Sequence, residues 1–129
     1  MSRRVVKRRS FTRWQASQRL SDVVLCEAVG ELERGLVDAR LSGELYKKRV
    51  ARPNGGKRDG FRVFIAARIA HRAVFLEGFA KNDIGNIKND ELLALKHLGR
   101  VLLNLLPDAF ATAIEQGVLQ EVECYEQDH

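Results

Sequence analysis

Tyr46-Lys47-Lys48-Arg49-Val50-Ala51-Arg52, then Phe61-Arg62-Val63-Phe64-Ile65-Ala66-Ala67, then Ala73-Val74-Phe75-Leu76-Glu77-Gly78-Phe79, decide the fold. The first run, Leu45 to Ala51, has strand character and an unusual charge content. The other two are apolar, strand-like and separated only by Arg68 to Arg72. Pro53-Asn54-Gly55-Gly56 supplies a loop between the first two runs. The pattern predicts a three-stranded antiparallel meander. Gly78 inside the last strand marks a bulge or a close backbone approach.

Helices flank this meander. Ser21-Asp22 suits a helix start, with Ser capping free N–H groups and Asp at the positive end of the dipole. Val24, Leu25, Ala28, Leu32 and Leu36 follow at helical spacing, with Gly35 ending or weakening the last turn. Leu41-Ser42-Gly43 reads as a turn. Asn89-Asp90-Glu91 opens a second helix carrying Leu92, Leu95, Leu98, Leu102 and Leu105, which Pro107 stops. Asp108 is expected to cap a short helix through Ile114, with Gly117 beyond it. Upstream, Arg3 to Arg9 reads as a basic arm or an edge strand, leading through Phe11 and Trp14 into a short helix. The acidic residues 121–129 read as a mobile tail. The expectation is one α+β domain over residues 1–129, a small twisted antiparallel sheet with helices packed on one face.

The 129 residues are 45% hydrophobic and 30% charged, which suits one globular domain with a modest core. No apolar run approaches the ~20 residues of a membrane span, and no signal-peptide pattern is visible, so the expected location is cytoplasmic. Net charge is +5 and unevenly distributed. Residues 1–20 hold seven Lys/Arg and no acid, and residues 45–81 hold ten against two acids. The intervening and following helical segments are acidic. Such segregation points to a polyanion-binding face, although a solvated basic surface is the commoner outcome for charge clusters.

Strand alternation puts Lys47 and Arg49 on one face, and Lys48 with Val50 on the other. In an ordered meander Arg62 and Lys81 can lie near the first pair. Several cations on one sheet face repel unless an anion neutralises them, and phosphate is the obvious one. Lysines guarding a sheet edge are the competing reading. Of the nearby aromatics, Tyr46 is the best placed to serve RNA, whereas Phe75 is expected in the core. His71, His97 and His129 have no metal-ligand spacing, so no metal or cofactor is expected. Cys26 and Cys124 form no motif and are expected as reduced thiols, Cys26 in the core.

From about Val6 to Val122 the sequence resembles the RelE/HigB superfamily of type II toxins, on its HigB-like branch. The resemblance rests on Tyr46 to Arg52, on the Gly56 to Arg62 turn, and on Gly78-Phe79-Ala80-Lys81. Ser21-Asp22, Cys26-Glu27-Ala28, Lys81-Asn82-Asp83, Glu91-Leu92, Leu95-Lys96, Gly117-Val118-Leu119 and Glu121-Val122 occur in the same order. The resemblance implies a ribosome-dependent mRNA endonuclease, with ribose 2′-OH attack on the adjacent phosphate and no metal. It also implies a cognate antitoxin, of helix-turn-helix type, and binding to ribosome and mRNA. Lys47, Arg49, Arg62 and Lys81 match the family's catalytic positions. Lys47 corresponds to a base or phosphate contact and Arg62 to a transition-state stabiliser. Tyr46, Lys48, Arg52, Lys57 and Arg58 are the expected RNA-binding set. The chain departs from the branch at Asp59, where Gly is usual, and at Asn82, where RelE toxins carry arginine. The family's C-terminal tyrosine has no clear counterpart, Tyr125 being far out. A non-catalytic nucleic-acid-binding protein of phage or mobile-element origin with the same fold is the alternative. A gyrase poison of the related ParE type is a third.

Overall fold

A computed structural model describes residues 3–83 and 87–124. β1 (Arg4–Arg8) leads directly into α1 (Arg9–Ser17) and then α2 (Asp22–Glu33). β2 (Ala39–Ser42), β3 (Leu45–Val50), β4 (Phe61–Arg68) and β5 (Arg72–Ala80) follow. α3 (Asn89–Leu103), α4 (Pro107–Glu115) and β6 (Leu119–Glu121) complete the fold. The class is α+β, and the expected β3–β4–β5 meander forms the middle of one sheet ordered β2-β3-β4-β5-β1-β6.

The sheet is larger than the meander. The basic segment expected as an arm or edge strand is an interior strand, parallel to β5 and antiparallel to β6. Val5 and Val6 point to opposite faces, so β1 contributes to two separate cores. One core packs Phe11, Leu25, Val29 and Leu32 of α1 and α2 against Val63, Ile65 and Phe75. The other packs Leu95, Leu102, Leu103 and Phe110 of α3 and α4 against Phe64, Val74 and Leu76. Helices therefore cover both faces of the sheet, where the sequence pattern predicts them on one. The run Val63 to Ala67 is buried without alternation because its neighbours on both faces are apolar.

Several local expectations change. Ser21 stands at the N-cap of α2 but its side chain makes no capping bond. Leu41 and Ser42 belong to β2, and the turn falls on Gly43-Glu44. α2 ends before Gly35, whose φ of +83° closes the helix and leaves Leu36 outside it. α3 stops four residues before Pro107, which instead occupies the first turn of α4, and Asp108 follows it rather than capping. The carbonyls at the end of α3 are taken by Arg72, whose Nη1 donates to Leu102, Leu103 and Leu105 at 2.8, 3.2 and 3.0 Å.

The cysteines are not reduced thiols. Cys26 and Cys124 form a disulfide spanning 98 residues, with Cα atoms 5.4 Å apart. Pairing of β6 with β1, continued by the Val122 N–H to the Val5 carbonyl at 2.8 Å, brings the chain back over α2. Residues 121–124, expected to be a mobile tail, are thus part of the fold. Residues 125–129, with Tyr125 and His129, lie outside the described residues. Among the described residues no helix is long and apolar enough to cross a membrane.

Candidate nucleic-acid interface

The site is built on the α3 side of the β3–β4–β5 meander. Leu45 packs in the α3 core while Val50 packs in the α2 core, which fixes the phase of β3. Lys47 and Arg49 accordingly share the α3 side. β4 runs antiparallel, and Arg49 stands directly opposite Arg62. Side chains opposed in this way have Cβ atoms ~4.5–5.5 Å apart, and like charges there are destabilising. Arg49 is relieved by Asp38 at 3.3 Å. Arg62 has no carboxylate partner among the described residues, and its Nη1 donates only to the Gly60 and Phe61 carbonyls at 3.2 and 3.4 Å. Lys47, half-buried, has no ion pair or hydrogen-bonding side-chain partner among the described residues.

A β-bulge sets the third strand. Phe64 pairs with Glu77 but Ile65 pairs with Phe75, leaving Leu76 as the extra residue. Leu76 therefore packs in the α3 core, while Gly78 faces Trp14 on the other side. The phase shift turns Phe79 onto the face of Arg62, its register partner, where it meets Phe64 edge-on at 5.7 Å. Phe79 is the partly exposed aromatic on this face, a role the sequence pattern predicts for Tyr46. The signal was a glycine between Glu77 and Phe79, but the phase needs the bulge position. Glu77, paired with Arg8 at 3.4 Å, bounds the positive surface on the β5 side.

The expected site residues divide between the two faces. Tyr46 packs against the α2 core, with Arg40 over its ring at 6.0 Å. Lys48 is 5% exposed and pairs with Glu31 of α2 at 2.6 Å, so it is not a surface cation. Sharing the parity of Val50 was the sequence signal for this. Lys57 pairs with the other oxygen of Glu31. These two lysines hold the Glu31 carboxyl below the usual range by hydrogen bonding, chiefly Lys48, against the opposing effect of burial. Arg52 lies over the Phe61 ring at 4.7 Å and donates from Nε to the Asp59 carbonyl at 2.6 Å. It braces the 52–60 loop. Arg58 is exposed, without a partner among the described residues. Lys81, just past β5, lies 3.6 Å from Asp59.

The structure thus brings Lys47, Arg49 and Arg62 together, with Phe79 beside them and Arg58, Asp59 and Lys81 on the surrounding loops. Tyr46, Lys48 and Lys57 belong to the α2 side. The 52–60 loop is pressed against β3: a Cβ on Gly60 would fall 2.0 Å from the Val50 carbonyl oxygen. That close approach holds the carbonyl that orients Arg62. The model of the family described as RelE toxin of the RelE/RelB toxin–antitoxin system matches residues 3–122. The chain belongs to the RelE toxin family. The match spans every strand and helix of this RelE protein and every candidate site residue. No curated protein and no solved structure matches it. As a RelE-family toxin it has a cognate antitoxin as partner.

Proposed function

We propose that this RelE-family toxin is a ribosome-dependent mRNA endonuclease of the HigB-like branch, acting in the cytoplasm and restrained by a helix-turn-helix antitoxin. The observation that carries the reading is the opposition of Arg49 and Arg62 across β3 and β4, with Lys47, unpaired among the described residues, on the same face. A folded protein gains nothing from facing two guanidinium groups across a strand pair, and a phosphate between them turns repulsion into charge-assisted bonds.

Cleavage by 2′-OH attack forms a bond from the 2′-oxygen to phosphorus and breaks the bond to the 5′-oxygen. It leaves a 2′,3′-cyclic phosphate and a 5′-hydroxyl. Arg49 and Arg62 neutralise the crowded phosphorane, as preorganised donors do in other sites. Lys47, an ammonium, contacts the phosphate and gives its proton to the departing 5′-oxygen. Lys81 and Arg58 extend the path of the RNA backbone, and Phe79 offers a ring for base stacking.

Induced expression tests this. Growth should stop, and primer extension should show cuts in phase with codons of translated messages. Arg62→Ala should reduce cleavage by about 10²-fold or more. Replacing Lys47, Arg62 and Lys81 together by Ala should restore growth while circular dichroism stays unchanged. Normal growth and uncut messages in cells making the wild-type protein would sink the enzyme reading and leave a non-catalytic nucleic-acid-binding protein.

A further inference from the structure

Among the described residues, the strand cations Lys47, Arg49 and Arg62 supply no proton acceptor of their own. Arginine and lysine cations have no lone pair to offer, so a lysine must first lose its own proton before it can take one from a ribose hydroxyl. A carboxylate is an acceptor at neutral pH without preparation. The described histidines do not help: His71 is in the β4–β5 hairpin and His97 on α3. Five described carboxylates border the face: Glu91 accepts from the Lys88 N–H at 2.9 Å at the start of α3, and Asp83 lines the cavity between Phe79 and α3, leaving Asp38, Glu77 and Asp59 around the strand cations. Asp38 is tied to Arg49 at 3.3 Å with its side chain 21% exposed, and Glu77 is paired with Arg8. Asp59 differs from both. Its side chain is 83% exposed, and among the described residues its ion pair is with Lys81 at 3.6 Å.

Asp59 is open, but its backbone is held in place. Arg52 grips its carbonyl at 2.6 Å, and the next residue, Gly60, is wedged against Val50. The Gly60 carbonyl in turn accepts from Arg62 Nη1 at 3.2 Å, so one residue, Gly60, links Asp59 to the guanidinium proposed to hold the phosphate. The charged groups around Asp59 are Lys81 after β5, and Arg52, Arg58 and Lys57 of its own loop, with Glu31 of α2 facing Lys57.

We infer that Asp59 is a catalytic residue of this site, the base that takes the 2′-hydroxyl proton, and that Lys81 is its positioning partner. The inference rests on the endonuclease reading above and assigns the base within it. Asp59 accepts the proton as the 2′-oxygen closes on phosphorus. Lys47 protonates the 5′-oxygen as its bond to phosphorus breaks. Proton exchange with water then returns both groups to their starting forms.

The test is the single-turnover cleavage rate as a function of pH, on ribosomes programmed with a defined mRNA, for wild type, Asp59→Asn and Asp59→Glu. Asp59→Asn should cut about 10²-fold more slowly, within the range for loss of a general base. Its rate should also lose the fall on acidification expected of wild type. Asp59→Glu should recover part of the rate together with that acidic limb. An Asp59→Asn variant that cuts as fast as wild type, or faster because Lys81 is released, overturns the inference while leaving the endonuclease reading standing. So does a slower variant whose acidic limb is unchanged. Wild-type protein that cuts nothing overturns both.

Discussion

Gly78 carries no side chain because Trp14 occupies the space. A Cβ there would fall 2.2–2.5 Å from three atoms of the indole ring, which also packs edge-on against Phe61 at 5.1 Å. Gly78→Ala should destabilise the protein by about 1–3 kcal/mol, the usual cost of overpacking a filled core. Urea unfolding measures it. Trp14→Leu in the same chain should cost less than the sum of the two single changes, and strict additivity would show that the two sites do not touch. Gly78 was legible as a close approach from its place in an apolar strand. That the approaching group is Trp14, from a helix 64 positions earlier, was not. Lys48 teaches the complementary lesson. Its parity with Val50 placed it correctly on the face away from Lys47, but parity says nothing about what waits there. Glu31 on α2 converts an expected RNA contact into a buried ion pair.

Glu31 joins three elements: α2, β3 through Lys48, and the 52–60 loop through Lys57. Hydrogen bonds from the two lysines lower its pKa below the ordinary 4.5. The unfolded chain therefore binds this proton more readily than the folded one. The stabilisation is complete above about pH 4.5 and is lost as the pH falls through the lower folded value. Glu31→Ala should destabilise the protein by about 3 kcal/mol at neutral pH, since it strands Lys48 without a counter-charge. The gap between variant and wild type should narrow in acid, as denaturation midpoints at about pH 6 and about pH 3 will read. A gap that is constant across this range would remove Glu31 from the account. The end of α3 makes a related point. Pro107 was the visible stop signal, yet the helix closes earlier because Arg72, at the start of β5, takes its last carbonyls. Burial, then the nearby Arg4 and Arg68 charges, lower the pKa of that guanidinium.

Across the molecule, the disulfide ties the segment after β6 to α2, closing a loop between two positions 98 residues apart in a chain of 129. In the chain-entropy account such a loop is worth up to about 4–5 kcal/mol through the unfolded state. Reduction, or replacement of Cys26 and Cys124 by Ser, should lower stability by about 2–5 kcal/mol. A melting temperature unmoved by reductant would contradict this. Elements with local periodicity were readable along the chain: the meander, α2, α3 and the parity that pairs Lys47 with Arg49. Neighbouring residues carry that information, because side-chain direction repeats every two residues in a strand and every 3.6 in a helix. The α+β class followed from those periods. The partners did not. The interior place of β1, the two-sided helix cover, the Leu76 bulge that turns Phe79 toward Arg62, the Lys48–Glu31 pair and the Cys26–Cys124 bond all join residues distant in sequence. Such contacts depend on how completed elements pack, and no local repeat encodes that packing.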